Sequence, residues 1–335
     1  METTLELDED AVEEEEAEGG ERLNGRAVPR FMRSPLDVPF ALTRRDVAIL
    51  RDVWWFRLLT TSQLETLRRA DPDSALRFVS RLTLTRRLKG LFHHRYLRRI
   101  ARPCASGSLE PVYALDREGA RALSLWLEEQ GQTEEVRALL PSRLPKAQGL
   151  EHLLLVNQAR IAFSCAIALG PDESEALQLL EWKSSEAARF RVEVASPSTR
   201  RVTARQTVTL VPDGGMVLRV TIGEKRTRHV AFVEADRGTE PLSTLTNKAR
   251  AYYAYWKSGW FGRDYEAPPG VGFWVLLTVP SKARGATLLR ALREVEGGLT
   301  MFRVALESDL LPERVAQAVW TEASQGVLVR PCQPV

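Results

Sequence analysis

Three acidic residues near the middle of the chain have the types and spacing needed for metal-assisted chemistry on phosphates. Asp213 lies in the segment VPDGG, 211–215, while Glu234 and Asp236 lie in VEADRGTE, 233–240. Side chains alternate along a strand, so Glu234 and Asp236 are expected on the same face. If Asp213 begins a strand paired with residues 228–234, the three carboxylates converge at one end of a sheet. Converging carboxylates repel each other unless a cation or protons separate them, and oxygen ligands suit Mg²⁺ or Mn²⁺.

A purely structural role explains the same residues. The sequence Pro-Asp-Gly at 212–214 favours a tight turn, because Pro presets one dihedral angle and Asp bonds its own backbone. Asp236, next to Arg237, also fits a salt-bridged loop before a helix that starts at Pro241. The spacing alone leaves both interpretations open.

The elements that must position these acids follow a mixed α/β pattern in residues 150–335. A broadly apolar helix is predicted first, and the later segments alternate between strands and helices. These patterns predict a mixed sheet with helices packed against it. Strands are expected at 179–183, 208–211, 216–222, 228–234, 272–279 and 300–304, and helices at 150–169, 241–256 and 282–296.

Residues 41–132 have the pattern of a winged helix-turn-helix, with three helices followed by a two-stranded ribbon and a closing helix. The third helix is expected to begin at a Ser74 cap and to bury Leu76, Val79, Leu82 and Leu88. The first helix is predicted at 43–59, the second begins at Thr61, and the closing helix spans 116–130. The ribbon strands are predicted at 96–100 and 111–115.

A basic run follows the same elements. No acidic residue occurs between Asp73 and Glu110, whereas nine Arg or Lys residues do. A solvated basic face is one interpretation. Because the charges fall on the third helix and the ribbon, which contact DNA in this fold, double-stranded DNA is the predicted partner. The predicted DNA-binding residues are Arg77, Arg81, Arg86, Arg87, Lys89, Arg98 and Arg99.

Charge also marks the beginning of the chain. Residues 1–22 contain eleven acidic residues and one Arg, which leaves 46 basic and 33 acidic residues, a net charge of +13, for the remainder. Residues 1–40 are predicted to be an acidic disordered tail, since such a composition buries too little apolar surface to fold. A linker is expected at 133–149, where Pro141, Pro145 and Gly149 occur.

Cysteine usage and hydropathy indicate the compartment. Cys104, Cys165 and Cys332 are far apart and lack metal-ligand spacing, which fits free thiols in a reducing compartment. No apolar run is long enough for a membrane span, and the acidic N-terminus does not have the pattern of a secretory signal. We therefore expect a cytoplasmic protein without a membrane partner. Whether the chain forms a homodimer is left open.

Taken in order, several segments resemble the replication-relaxation family of bacterial and plasmid proteins. The resemblance covers most of residues 42–280. It rests on the following segments: LTRRDVAILRDVWWFRLLTTSQL at 42–64, RRLKGL at 86–91, VYALDREGARAL at 112–123, EHLLLVNQARIA at 151–162, VPDGG at 211–215 and VEADRGTEPLSTLTNKARAYYAY at 233–255.

The resemblance implies a winged-helix DNA-binding module joined to a domain similar to the PD-(D/E)XK nuclease fold, with a role in plasmid replication or mobilisation. It matches Asp213 and Glu234 to the two acids of the nuclease motif, with Glu151 as an additional acid. At Asp236 the chain departs from the family's pattern, which has a lysine there. That lysine helps to orient the attacking water and to neutralise charge.

The helix after the second acid offers a replacement for the absent lysine. Lys248 could reach the site from this helix, and Tyr252 lies one turn further on the same face. A surface lysine and an aromatic packing stripe of Tyr252, Tyr253 and Tyr255 are the structural alternatives. For His152 and Asn157, which also match the family, burial with a satisfied partner is the alternative. The catalytic candidates are thus Asp213, Glu234, Asp236 and Lys248.

Two functions are compatible with these patterns. The first is a DNA-binding protein that nicks DNA with Mg²⁺ or Mn²⁺. The second is a non-catalytic regulator of replication or transcription with a degenerate nuclease-like domain, which the absent lysine favours. The sequence contains no Walker loop, Rossmann glycine pattern, zinc spacing or nucleophile elbow. A small-molecule enzyme therefore has no motif to support it.

Overall fold

The computed structural model describes ten stretches of the chain, which divides into two compact units. These units, residues 1–150 and 151–335, are here called the N-terminal module and the C-terminal domain. The described residues are 20–23, 26–29, 31–34, 40–102, 109–132, 147–166, 175–195, 205–268, 270–295 and 299–331. The acidic residues 1–19, residues 133–146 of the predicted linker, Cys104 and Cys332 lie outside them, while Cys165 carries a thiol rather than a disulfide.

The N-terminal module has the order helix, strand, helix, helix, strand, strand, helix after an N-terminal hairpin. Three of its strands, Leu59–Thr60, Val112–Leu115 and Leu97–Ile100, form an antiparallel sheet in that spatial order. Thr43, Thr60, Ser80 and Asp116 each accept a backbone hydrogen bond at a helix start, which fixes where the helices begin. The elements are β1 Gly20–Leu23, β2 Arg26–Pro29, α1 Arg44–Phe56, β3 Leu59–Thr60, α2 Thr61–Arg69, α3 Arg81–His93, β4 Leu97–Ile100, β5 Val112–Leu115 and α4 Arg117–Glu129.

The third helix begins later than the sequence predicted. Ser74 starts only a short 3₁₀ turn that ends at Leu76, and Ser80 provides the cap of α3. Val79 and Leu82, expected to be buried, are 94% and 42% exposed. The Asp73 side chain caps this 3₁₀ turn by accepting from the Ala75 amide at 2.9 Å, and the turn ends because the backbone of Arg77 is extended.

Some residues of the predicted disordered tail have described partners in the structure. Strands β1 and β2 pair as a hairpin within residues 1–40. Arg33 donates to the backbone oxygens of Phe92 and Leu97, both at 2.9 Å, and forms an ion pair with Asp116. Disorder of residues 1–40 stays a prediction, although Arg33 finds acceptors in the module that composition does not reveal.

The C-terminal domain is a mixed α/β unit, as the sequence predicted. Its elements are α5 Ala147–Ser164, β6 Glu175–Ser184, α6 Ser185–Ala188, β7 Phe190–Ala195, β8 Arg205–Leu210, β9 Gly214–Ile222, β10 Lys225–Ala235, α7 Leu242–Lys257, α8 Trp260–Asp264, β11 Trp274–Val279, α9 Lys282–Arg293, β12 Phe302–Leu306, β13 Trp320–Glu322 and β14 Leu328–Val329. Seven of these strands form one sheet in the order β14-β13-β12-β11-β10-β9-β6, with β10, β11 and β12 parallel. No helix in the described ranges is both long and apolar enough to cross a bilayer.

Alternation along β10 divides the apolar residues between two cores. Val230 and Phe232 pack with α7 and α9 on one side of the sheet. Ala231 and Val233 pack with α5 on the other side. Glu234 continues the first series, so it points toward α7 and α9.

One predicted strand belongs to a different sheet. Residues 205–210 pair with Phe190–Ala195 in a separate antiparallel hairpin, β7–β8, inserted between β6 and β9. The sequence pattern identified β8 but not β7. This hairpin packs on α7 through Phe190, which stacks on Tyr255 with ring centroids 3.9 Å apart.

Candidate active site

The β9–β10 hairpin brings Asp213 and Glu234 to the same end of the sheet. Gly214 pairs with Val233, and the Asp213 amide donates to the Val233 oxygen at 3.1 Å. A Cβ on Gly214 would lie 2.3 Å from the Trp182 ring. The glycine after Asp213 is therefore needed for the close approach of β6, and it already belongs to strand β9.

Both oxygens of Asp213 have defined partners. Oδ2 accepts from the Ala235 amide at 2.8 Å, and Oδ1 lies 2.9 Å from Nε2 of His152 on α5. This hydrogen bond raises the pKa of His152 above its ordinary value, although burial opposes the rise. Helix α5 thus holds the carboxylate from the opposite side of the sheet to α7.

Glu234 is a buried carboxylate with two donors. Its side chain is 2% exposed, Tyr252 donates its hydroxyl at 2.6 Å, and Lys248 donates Nζ at 3.0 Å. Burial, and next the negative charge of Asp213, raise the pKa of Glu234 to about 7. The two acids are therefore close enough to repel each other through space.

Lys248 lies between two acidic side chains. Besides its bond to Glu234, Lys248 donates Nζ to the Glu240 side chain at 3.2 Å. Burial alone would lower the pKa of Lys248, but the charges of Glu234, Glu240 and Asp213 and the bond to Glu234 outweigh it and raise that pKa. The ammonium group therefore stays charged beside Glu234.

Asp236 does not join the other two acids, so the prediction of three converging carboxylates is wrong. Arg284 of α9 donates to Asp236 from Nε at 2.6 Å and from Nη2 at 3.2 Å, and the Gly238 amide donates at 2.8 Å. Within the described ranges, no three His, Cys, Asp or Glu side chains are grouped so that they could share a metal ion. Alternation correctly places Asp236 on the side of α7 and α9, but it cannot predict that Arg284 holds it there.

The two remaining acids fit a hard divalent cation. Asp213 and Glu234 offer carboxylate oxygens, and Mg²⁺ is commonly held by one or two carboxylates while it keeps several waters. Each oxygen accepts one hydrogen bond in the structure and has a second lone pair. A set of two carboxylates is therefore compatible with Mg²⁺ or Mn²⁺.

Packing and chemistry coincide at the tyrosines of α7. Tyr252 and Tyr255 are each 1% exposed in the aromatic core around Phe232, as the packing alternative predicted. Tyr252 nevertheless donates to Glu234, whereas Tyr255 donates to Asp264 at 2.6 Å. Tyr253 is only half-buried and contacts neither acid in the described structure.

Several contributors to the site could not be assigned from sequence. His152 has the satisfied partner that its structural alternative predicted, Asp213, but its side chain is 39% exposed rather than buried. Glu240 and Arg284 carried no motif signal. Glu151 on α5 is half-exposed, and its role as an additional acid stays a prediction. Asn157 is 3% exposed, so it is buried as its structural alternative predicted.

The predicted DNA-binding residues of the N-terminal module fall into two groups. Arg87 donates to both oxygens of the buried Asp46 at 2.5 Å, and Arg99 is 9% exposed with its guanidinium 4.6 Å from the Phe92 ring centre. Arg81 is more exposed but forms ion pairs with Glu65 and Glu110. These contacts give the three arginines structural roles in the module.

The other four are more accessible. Arg77 and Arg86 are exposed, and Lys89 and Arg98 are half-buried. Arg77 also donates to the backbone oxygen of Asp71 at 2.7 Å. DNA binding by this set stays a prediction, with Arg86 on α3 its most accessible helical member.

Fold and site together define a two-unit protein whose mixed α/β domain presents two acids and a lysine at one end of its sheet. The chain belongs to the replication-relaxation family, whose model matches residues 50–271. This membership associates the protein with DNA and its replication. No match was found among curated protein sequences.

Comparison with solved structures gives a weak likeness to the restriction endonuclease FokI. The identity is 13% and the TM-score is 0.23, with 80% of this chain and 42% of the FokI chain covered. The chain thus spans less than half of the length of that protein.

Proposed function

We propose that this protein binds double-stranded DNA through its N-terminal module and nicks it with Mg²⁺ or Mn²⁺ through its C-terminal domain, in the replication or mobilisation of a plasmid or mobile element. The observation that supports this proposal is the placement of Asp213, directly before β9, beside Glu234 on the adjacent strand β10, with the ammonium group of Lys248 3.0 Å from Glu234. The element order and basic residues of the N-terminal module support its interpretation as a winged helix.

The chain supplies a lysine from an unexpected element. Asp236 occupies the place of the lysine in the resembled nuclease motif, but Lys248 reaches Glu234 from α7. Its positive charge, close to both acids, is suited to neutralise charge that develops on a phosphate oxygen. Lys248 therefore compensates for Asp236 in this proposal.

The remaining residues position the two acids. His152 and the Ala235 amide orient Asp213, while Tyr252 orients Glu234. A divalent ion bound there would polarise the scissile phosphate and lower the pKa of an attacking water. Asp213 and Glu234 would hold that ion.

Incubation of supercoiled plasmid with the full-length protein tests the nicking activity. We expect open-circular DNA with Mg²⁺ or Mn²⁺ and none with a chelator. Asp213→Asn and Glu234→Gln should abolish the product, whereas Glu313→Gln, which changes an exposed acid elsewhere, should not. Supercoiled plasmid that stays intact under every metal condition would disprove cleavage.

A non-catalytic DNA-binding regulator is the second candidate. The observation that favours it is Asp236, which is locked to Arg284 where the resembled motif has a lysine. If the protein is non-catalytic, we expect the plasmid to stay supercoiled. Duplex DNA should then bind equally to the natural protein and to Asp213→Asn, and more weakly to Arg86→Ala. Loss of duplex binding in Asp213→Asn, with the fold intact by circular dichroism, would argue against this candidate.

A further inference from the structure

The C-terminal domain has a groove between the β7–β8 hairpin and helix α7. Its volume is about 860 Å³, within the range of about 300–1,000 Å³ that is usual for ligand sites. Val208 and Leu210 line it from the hairpin, and Tyr253 and Lys257 line it from the helix. Of the residues that contact Asp213 and Glu234, Lys248 is the one that also lines the groove in the described structure.

The groove leads to the candidate active site. Lys248, which donates to Glu234, is one of its lining residues. Val211, 41% exposed and only two residues before Asp213, is another. A molecule in the groove would therefore extend toward the two acids.

The charge of the groove favours an anionic occupant. Lys248, Arg250 and Lys257 line it, against one acidic residue, Glu193. Arg250 and Lys257 are exposed, and their only described partners are the Asn247 side chain and the Tyr253 ring. Neither cation is neutralised by these partners, so both stay available to phosphates.

The apolar part of the lining distinguishes a single strand from a duplex. Val194, Val208 and Leu210 provide an apolar wall opposite Tyr253. In a duplex the base faces are stacked inside, whereas an unpaired strand can place its bases on apolar and aromatic side chains while its phosphates meet cations. We propose that this groove binds a single DNA strand and directs it toward Asp213 and Glu234, an inference that rests on the proposed function only for its choice of DNA.

The test is binding of a labelled oligothymidine to the full-length protein in chelator, so that no cleavage is needed. Arg250→Ala with Lys257→Ala should weaken binding and lower the slope of log affinity against log salt by about 1.4, since each single-strand phosphate contact contributes about 0.7. The matched control, Lys282→Ala with Arg290→Ala, removes two exposed charges from α9, outside the groove, and should leave the slope unchanged.

A second measurement locates the strand. With an iododeoxyuridine oligonucleotide, ultraviolet crosslinks should map to residues 205–211 and 244–257 and disappear in the groove variant. Tyr253→Leu should weaken oligothymidine binding by about fivefold or more, the lower limit for loss of one base stack. Equal salt slopes for the groove and control variants, or crosslinks only in the N-terminal module, would overturn the proposal even if the plasmid is nicked.

Discussion

Buried charges near the candidate active site are held by specific partners, and these partners separate structural from chemical roles. Asp236 has a fully buried side chain and two bonds from Arg284. Glu234 has Lys248 and Tyr252. The two acids are two residues apart in sequence, yet they belong to different networks.

For Arg284→Met we predict a large loss of stability. Removal of one partner from a buried ion pair costs about 3–5 kcal/mol, because the other charge stays buried without compensation. Urea unfolding should show this loss, and the double variant with Asp236→Asn should recover part of it. A loss below about 1 kcal/mol, the value of a surface pair, would contradict the structural role of Arg284.

Asp236 and Asp213 should differ in activity. Because Arg284 occupies Asp236, we predict that Asp236→Asn retains plasmid nicking, whereas Asp213→Asn does not. Rates should be compared at a temperature at which both variants are folded by circular dichroism. Equal loss of nicking in the two folded variants would return Asp236 to the catalytic set.

At the scale of elements, the junction of β6, β9 and β10 positions the first acid. Gly214 and Gly215 are adjacent in sequence, but a Cβ at Gly214 would lie 2.3 Å from the Trp182 ring, while one at Gly215 would lie 3.2 Å from the Ala188 Cβ. The first distance requires the strand or the ring to move, and the second requires a small adjustment.

We predict that Gly214→Ala destabilises the C-terminal domain more than Gly215→Ala does. Overpacking of this kind costs about 1–3 kcal/mol, and the displaced strand would also move Asp213. Thermal unfolding and plasmid nicking of the two variants measure both effects. Equal melting temperatures would mean that Trp182 can move aside without cost.

Helices α1 and α2 are joined by a buried charge cluster that predicts a pH dependence. Arg68 lies 2.6 Å from Asp52 and 2.9 Å from Asp71. Burial, which outweighs the attraction of Arg68, raises the pKa of Asp52 from 3.8 to about 6. The folded state therefore binds a proton more tightly at Asp52 than the unfolded state does.

The sign of the pH effect follows from this difference. The contribution of protonated Asp52 to stability is complete below pH 3.8 and is lost as the pH rises to about 6. Asp52→Asn should therefore give a flatter dependence of unfolding free energy on pH in this window. An unchanged slope in the variant would show that other groups cause the pH dependence.

At the scale of the whole molecule, a protein with a net charge of +3 carries its acidic excess in residues 1–22. The remaining basic surface suits an anionic partner. Which arginines contact that partner depends on the contacts within the N-terminal module. Arg87 is engaged by Asp46, whereas Arg86 next to it is exposed.

We predict that Arg86→Ala lowers the salt slope of duplex binding by about 0.9, the loss of one phosphate contact. Arg121→Ala, an exposed arginine on α4, serves as the control and should not change the slope. Arg87→Ala should instead lower the melting temperature, because it leaves Asp46 without its ion pair. A slope for Arg86→Ala equal to that of the natural protein would contradict binding through α3.

The sequence by itself predicted most element positions and indicated that Asp213 and Glu234 could meet at one end of a hairpin. Periodicity placed the strands, and the pairing of β9 with β10 in the structure then brought these two acids together. The sequence placed the start of the third helix wrongly, because Ser74 and Ser80 both belong to a residue type that favours caps and the capping box forms at Ser80 with Thr83.

The tertiary structure decided which side chains meet across elements. Arg284 reaches Asp236 over 48 residues and His152 reaches Asp213 over 61, and neither pair follows from a repeat or a spacing. Local patterns record which face of an element is buried, because that depends on periodicity. The partner of a buried charge depends on how distant elements pack, and in this protein that packing removed Asp236 from the predicted metal site and brought Lys248 to Glu234.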